Sequence, residues 1–113
     1  MNAYIIPGLK ERSLRLKRLM KADDITKSIL EHFNVTFEEV TKKSRKHTII
    51  TVRFIVCYML RKHSDMTLMA IAHYLSPAIK NHTTVIHAVR FIEGQLSSKF
   101  DNHIKDIFNE IYI

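Results

Sequence analysis

The chain is poor in the residues that interrupt or cross-link protein structure. Its 113 residues include only two glycines, two prolines and one cysteine, and no tryptophan. With Cys57 alone, no disulfide can form within the chain, and its apolar surroundings favour a buried structural thiol over a nucleophile. Hairpin dipeptides and sustained period-two alternation are both missing, which argues against a β-sheet. These absences predict an all-α fold.

Long apolar runs are missing too. The longest extends over residues 54–60, far short of the ~20 residues that a membrane-spanning helix needs. Near the N-terminus, Pro7 and Gly8 interrupt the apolar residues 4–6, so no signal-peptide core is formed. We therefore expect no membrane partner and a cytoplasmic location, which suits a chain without disulfides.

The chain is rich in positive charge. Lys and Arg outnumber Asp and Glu by 18 to 11, which gives a net charge of +7 and a pI of about 9.7. A small basic domain attracts polyanions such as nucleic acid, although many soluble proteins are basic for other reasons. The hydrophobic fraction of 46% is enough for one core, so a single domain is expected at this length.

Apolar residues recur at helical spacing and outline a compact bundle of about six helices. A leucine-rich basic segment before residue 23 predicts a first helix, and Asp23 or Asp24 can cap a second. Thr36 and Glu39 have the spacing of a capping box, which opens a short third helix. Two residues of that helix are expected to be buried, Phe37 and Val40.

The second half of the chain continues the helical pattern. Residues 49–63 are apolar almost all round, as expected of a central buried helix. Thr67 can cap a short helix, Asn81 can cap a longer amphipathic one, and a last amphipathic helix begins at about Asn102. Two helices joined by a turn, the second polar at its start, are typical of a helix-turn-helix.

The start of the Asn81-capped helix carries the strongest functional signal. Its exposed backbone N–H groups and partial positive charge suit a phosphate, and short polar side chains there can read base edges in a major groove. The basic, apolar-free residues 42–47 form a loop upstream that can lie on phosphates or in the neighbouring minor groove. The alternative is an ordinary capped helix whose polar residues face water.

This region resembles the C-terminal DNA-binding domain of the bacterial replication initiator DnaA, which recognises short duplex repeats called DnaA boxes. The family's hallmark is Arg-Asp-His-Thr-Thr-Val-Leu-His-Ala, and here the string reads Lys80-Asn81-His82-Thr83-Thr84-Val85-Ile86-His87-Ala88. Upstream, Lys43 and Arg45 fall in the family's basic loop, and Arg53 falls where an arginine opens the central helix. Residues 68–72 stand where the family has Leu-Pro-Glu-Ile-Gly.

The resemblance covers residues 24 to about 111 and implies a TrpR/DnaA C-terminal-like bundle. Residues 1–23 would then be an N-terminal extension with a basic helix, and residues 24–113 the DNA-binding domain. It also implies that Arg45 enters the minor groove, while Lys43 and Lys46 belong to the loop beside it. Four residues of the recognition helix would meet or approach base edges: Asn81, His82, Thr83 and Thr84. Four others would line the DNA backbone or the groove wall: Arg61, Leu68, Met69 and Lys80.

Three departures from the family pattern predict a site other than the standard DnaA box. Asn81 replaces an aspartate that accepts from a cytosine amino group, whereas asparagine suits the paired donor and acceptor of adenine. The family's Gly-Gly turn becomes the longer residues 76–79, and Met69 replaces a proline. Because narrow A·T-rich minor grooves attract arginine, Arg45 predicts an A·T-rich flank, unless it contacts only phosphates and Asn81 only caps its helix.

Other chemistries are not expected. Gly8 and Gly94 are the only glycines, so the phosphate loop of the initiator's ATPase cannot be built. His82 and His87 are ~140° apart around a helix and cannot share a metal ion well. The sequence therefore predicts no enzyme, no cofactor, no metal and no bound nucleotide.

Two classes of function remain. The first is sequence-preferring binding of double-stranded DNA, at DnaA-box-like origin sites or in the regulation of replication initiation, in the nucleoid of a bacterium and alongside other replication proteins. The second is a protein-interaction or transcription-regulating module that kept the fold but lost DnaA-box recognition. The polar residues His82, Thr83 and Thr84, together with Arg45, favour the first.

Overall fold

Six helices form the part of the chain that the computed structural model describes, residues 14–100 and 102–111, and no strand occurs there. In chain order they are α1 (Leu14–Phe33), α2 (Phe37–Thr41), α3 (His47–His63), α4 (Leu68–Tyr74), α5 (His82–Ser97) and α6 (His103–Ile111). The prediction of an all-α bundle is confirmed.

A single helix, α1, replaces the two helices predicted before residue 34. The expected break at Asp23 and Asp24 is wrong, because the exposed Asp23 carboxylate accepts from the Tyr74 hydroxyl at 2.8 Å. The helix ends instead at Phe33, and the next residue, Asn34, has a φ of 55°, a left-handed conformation that asparagine tolerates. The predicted boundary after residue 23 falls inside α1 and stays a prediction, and residues 1–13 lie outside the described residues.

The capping box predicted for α2 is confirmed. The Thr36 hydroxyl accepts from the Glu39 backbone N–H at 3.1 Å, and the Glu39 carboxylate accepts from the Thr36 N–H at 3.0 Å. The Thr36 backbone N–H and hydroxyl both donate to the Glu39 carboxylate, and these bonds lower the pKa of Glu39. Val40 is buried as expected, but the burial predicted for Phe37 is wrong, since 43% of this residue is exposed. A five-residue helix turns only one side to α3, and the Phe37 ring packs edge-on against Tyr74.

The central helix α3 is buried as predicted and begins two residues earlier than expected, at His47. It packs against α1 on one side and α5 on another. Burial raises the pKa of the Cys57 thiol to about 12, so this cysteine is a packed apolar group at neutral pH. Seven apolar residues of α3 are buried: Ile49, Val52, Ile55, Val56, Cys57, Met59 and Leu60.

The last three helices complete the core. The Thr67 hydroxyl caps α4 by accepting from the Ala70 N–H at 3.1 Å, and the Asn102 side chain accepts from the Lys105 N–H at 2.9 Å at the start of α6. The inward residues of α6 are Ile104, Ile107 and Phe108, while the predicted contribution of Ile111 lies outside the described side chains. Within the described residues, none of the helices has the length and apolarity needed to cross a bilayer.

Candidate nucleic-acid interface

Helices α4 and α5 and the turn between them form the predicted helix-turn-helix. The turn packs onto the bundle through Ile79, which is only 1% exposed. The Ala78 backbone N–H also holds the turn in place by donating to the Thr41 carbonyl at 2.9 Å. On the inner side of the pair, apolar residues of both helices, and Leu75 directly after α4, join the core: Ile71, Ala72, Leu75, Val85, Ala88 and Ile92. The outer side of α5 therefore projects from the bundle with its N-terminus exposed.

Asn81 caps α5 as predicted. Its Oδ1 accepts from the backbone N–H groups of Thr83 at 3.0 Å and Thr84 at 3.4 Å. These two bonds use both lone pairs of the carbonyl oxygen and leave the Nδ2 amino group as a donor. His82 and Thr83 are exposed in the first turn, and Thr84 is half-buried. The first turn thus presents short polar side chains and a cationic helix end to solvent.

A cavity of about 290 Å³ between α4 and the start of α5 brings four predicted site residues together. They are Met69, Lys80, Asn81 and His82. Met69 is 71% exposed, so its apolar side chain stands at the rim. An apolar group beside polar donors is the combination that reads a thymine methyl next to base-edge acceptors.

The basic loop between α2 and α3 lies beside this cavity. The Ser44 hydroxyl accepts from the Lys46 backbone N–H at 3.2 Å, which places Arg45 in the middle of a tight turn. Lys43, Arg45 and Lys46 are all exposed. Contact with the Lys80 side chain, and then repulsion between the two positive charges, lowers the pKa of Lys43. The loop and the start of the recognition helix therefore share one positively charged surface.

The remaining predicted residues, Arg61 and Leu68, lie on the other edge of α5. They line a cavity of about 270 Å³ together with a further basic residue of α5, Arg90. Arg90 was not among the predicted site residues, although it follows Thr83 by seven residues and so lies two turns along the same face of the helix. Arg61 and Arg90 are both exposed and extend the basic surface along α5.

Arg53 is the second residue whose place could not be read from the sequence. It is 6% exposed among the buried apolar residues of α3, and burial lowers the pKa of its guanidinium. Its Nε–H donates to the Val40 carbonyl at 2.8 Å and its Nη2 to the Lys42 carbonyl at 2.7 Å. Arg53 therefore does not belong to the exposed basic surface but supports the loop that carries it.

The described residues contain no group of three or more side chains that could hold a metal ion. The exposed histidines of α5, His82 and His87, lie on different faces of the helix, as their spacing predicts. The candidate site is thus defined by the exposed start of α5 and the basic groups on both sides of it.

A helix-turn-helix with an exposed, capped second helix and a basic loop beside it defines the class of helix-turn-helix DNA-binding domains. Among known families of this class, the one described as the bacterial DnaA protein helix-turn-helix matches residues 22–92 of this chain. The chain belongs to this family.

Curated relatives agree with the family assignment. The chain is 30% identical over 108 residues to the chromosomal replication initiator protein DnaA of Nautilia profundicola, which covers 94% of this chain and 24% of the relative. It is 30% identical over 87 residues to the DnaA protein of Bacteroides thetaiotaomicron, covering 75% of this chain and 18% of the relative. The chain therefore spans about a fifth of the length of these relatives.

Proposed function

We propose that this chain binds double-stranded DNA with sequence preference, at DnaA-box-like sites that serve bacterial replication initiation. The start of α5 enters the major groove, and the loop of residues 42–46 lies over the adjacent minor groove. In this arrangement the described residues bind DNA and carry out no catalysis. The chain acts on the DNA of a bacterial cell. Its partners are double-stranded DNA and other replication proteins.

The observation that carries the proposal is the exposed, capped start of α5, where Lys80, Asn81 and His82 line one cavity and the exposed basic loop lies beside them. Lys43 of the loop lies close enough to Lys80 for the two positive charges to repel, which lowers the pKa of Lys43, and an anion bound beside them offsets this repulsion. A DNA phosphate at this point bridges the basic loop and the helix-turn-helix. One phosphate contact then fixes the register of both reading elements on the duplex.

The other exposed side chains of the site contact either the DNA phosphates or the base edges. His82 and Thr83 present their side chains from the first turn of α5 to the base edges, and Asn81 presents its amino group beside them. Lys46 meets phosphates near the loop, and Arg61 and Arg90 meet them along the other edge of α5. Leu68 and Met69 complete the groove wall from α4.

The first prediction is that duplex affinity falls steeply with salt. Each phosphate neutralised by a Lys or Arg releases counterions, so log affinity against log salt has a slope of about −0.9 per phosphate. Changing both Lys43 and Lys80 to glutamine makes this slope shallower by about 0.9 to 1.8, according to whether the pair neutralises one phosphate or two. Fluorescence titration of a mixed duplex at two or more salt concentrations measures both slopes.

A protein-interaction module without DNA recognition gives a different outcome. Duplex affinity that is the same at low and moderate salt contradicts the electrostatic part of the proposal. A salt-dependent affinity that is equal for every duplex in a random library leaves only non-specific binding, and the sequence preference is then wrong.

The second prediction concerns the flank of the site. Arg45 lies in the middle of the Ser44–Lys46 turn, and a narrow A·T-rich minor groove has the negative potential that attracts it. Arg45→Ala is expected to remove the preference for an A·T-rich over a G·C-rich flank in a competition titration. Lys46→Ala, the matched control from the same loop, should weaken both duplexes equally. A wild-type preference for a G·C-rich flank contradicts this role for Arg45.

A further inference from the structure

Three consecutive backbone carbonyls at the end of α2 are bound by two other parts of the molecule. Val40 and Lys42 accept from the Arg53 guanidinium of α3, at 2.8 and 2.7 Å. Between them, Thr41 accepts from the backbone N–H of Ala78 in the turn of the helix-turn-helix, at 2.9 Å. The basic loop begins at this same point. The end of α2 is therefore where the central helix, the basic loop and the helix-turn-helix meet.

We propose that Arg53 is a positioning residue for DNA recognition, which fixes the spacing between the minor-groove loop and the major-groove helix. The inference rests on the proposed function, because it assigns Arg45 and the start of α5 to the two grooves. Arg53 itself is 6% exposed and does not need to touch DNA. It acts through the carbonyls of Val40 and Lys42, which hold the first residue of the loop against α3.

Only arginine among the basic side chains can make this contact. Its planar guanidinium carries several N–H donors in a rigid fork, so Nε and Nη2 reach two carbonyls that lie two residues apart. Unsatisfied carbonyls at a helix end carry partial negative charge, which favours a buried cation beside them. A lysine keeps the positive charge but carries a single compact ammonium group, so it can bind only one of the two carbonyls. The loop is then free to pivot about that one contact.

The hydrogen bond from Ala78 makes the loop position matter to the helix-turn-helix. Because Thr41 lies between the two residues that Arg53 holds, the guanidinium and the turn bind the same short segment. The next residue of the loop is Lys43, whose pKa is lowered by the Lys80 side chain at the start of the recognition helix. Loss of the Arg53 hydrogen bonds therefore lets the loop shift relative to α5, although no side chain that contacts DNA is removed from either element.

The test is a comparison of Arg45→Ala in two backgrounds. In the wild-type chain this substitution is expected to weaken binding to the A·T-flanked duplex about tenfold, the value of ~1.4 kcal/mol for one contact. In the Arg53→Lys background the same substitution should have almost no effect, because the loop no longer aims Arg45 into the groove. Moving the A·T flank by one base pair should weaken wild-type binding and be tolerated by Arg53→Lys.

The controls separate positioning from folding. Thermal unfolding followed by circular dichroism sets a temperature at which every variant is folded, and binding is measured there. Lys27→Arg, the reverse exchange at an exposed position of α1 outside the proposed DNA contacts, should leave the effect of Arg45→Ala intact. If Arg53→Lys does not fold, an amide-to-ester replacement at Ala78 removes the other donor to the same segment, and the same loss of the Arg45 effect is expected.

Two failures are distinguishable. If the wild-type chain shows no preference between duplexes, the proposed function fails. If the wild-type preference is present and Arg45→Ala costs as much in the Arg53→Lys or ester background as in the wild type, the positioning role of Arg53 is overturned and the proposed function stands.

Discussion

Replacing His82 or Thr83 by alanine is expected to reduce the preference of this chain for its cognate duplex over a random one by ~1–3 kcal/mol each. Both side chains are exposed in the first turn of α5, and the Asn81 cap uses backbone N–H groups rather than these side chains. Alanine has the highest helix propensity, so neither change disturbs α5. The loss is therefore confined to contacts with base edges.

The measurement is a pair of titrations for each variant, one with the cognate duplex and one with a random duplex. His87→Ala is the matched control for His82, because it removes an exposed histidine of the same helix ~140° away from the first-turn position. Lys46→Ala should weaken both duplexes equally, as expected of a phosphate contact. If His82→Ala and Thr83→Ala keep full discrimination, a different face of the molecule reads the bases.

Local signals in the sequence predicted those parts of the fold that depend on neighbouring residues. The caps at Thr36, Thr67 and Asn81 were all predicted, because a short side-chain oxygen before a helix bonds to N–H groups two or three residues later. The central helix was predicted for a related reason: its apolar residues surround the whole helix axis, which only burial explains. The start of the recognition helix needed no tertiary information.

Contacts between distant residues could not be predicted in this way. The helix break expected at Asp23 was wrong because α1 continues through this residue, whose carboxylate bonds to Tyr74, a partner 51 residues away, instead of capping a helix. An arginine in an apolar helix does not reveal whether it faces solvent or carbonyls, so the buried place of Arg53 was not foreseen. The contact between Lys43 and Lys80 likewise depends on how the loop folds against the helix-turn-helix.

The turn between α4 and α5 shows how a departure from the family pattern is accommodated. The family's Gly-Gly turn is replaced here by the longer residues 76–79, one of the departures that predict a different DNA site. In the structure, Ile79 is buried and the Ala78 N–H bonds to the end of α2, so the added length packs onto the bundle. The packed turn therefore holds α5 in one orientation, and any difference in how α5 docks on DNA will appear in the sequences selected from a duplex library.

The largest change in specificity is expected from Asn81→Asp. With the Asn81 Oδ1 accepting from two backbone N–H groups, the amino group is what the side chain offers to a base. A donor suits the N7 acceptor of a purine and opposes the N4 amino group of cytosine. The predicted two-atom bond to adenine needs the oxygen that the cap uses, so the structure favours one bond, to adenine or guanine.

Aspartate at this position caps equally well and is favoured by the positive helix end, so α5 stays intact. One carboxylate oxygen caps while the other becomes an acceptor, which reverses the polarity offered to the base. Selection from a random duplex library should therefore move the preferred base from a purine in the wild type to cytosine in Asn81→Asp, a difference of ~1–3 kcal/mol at that position. Asn81→Ser, which keeps the cap without the amide, should lose the preference without gaining cytosine. An unaltered DnaA box selected by the wild-type chain contradicts the argument, because cytosine at this position requires an acceptor that Asn81 does not present.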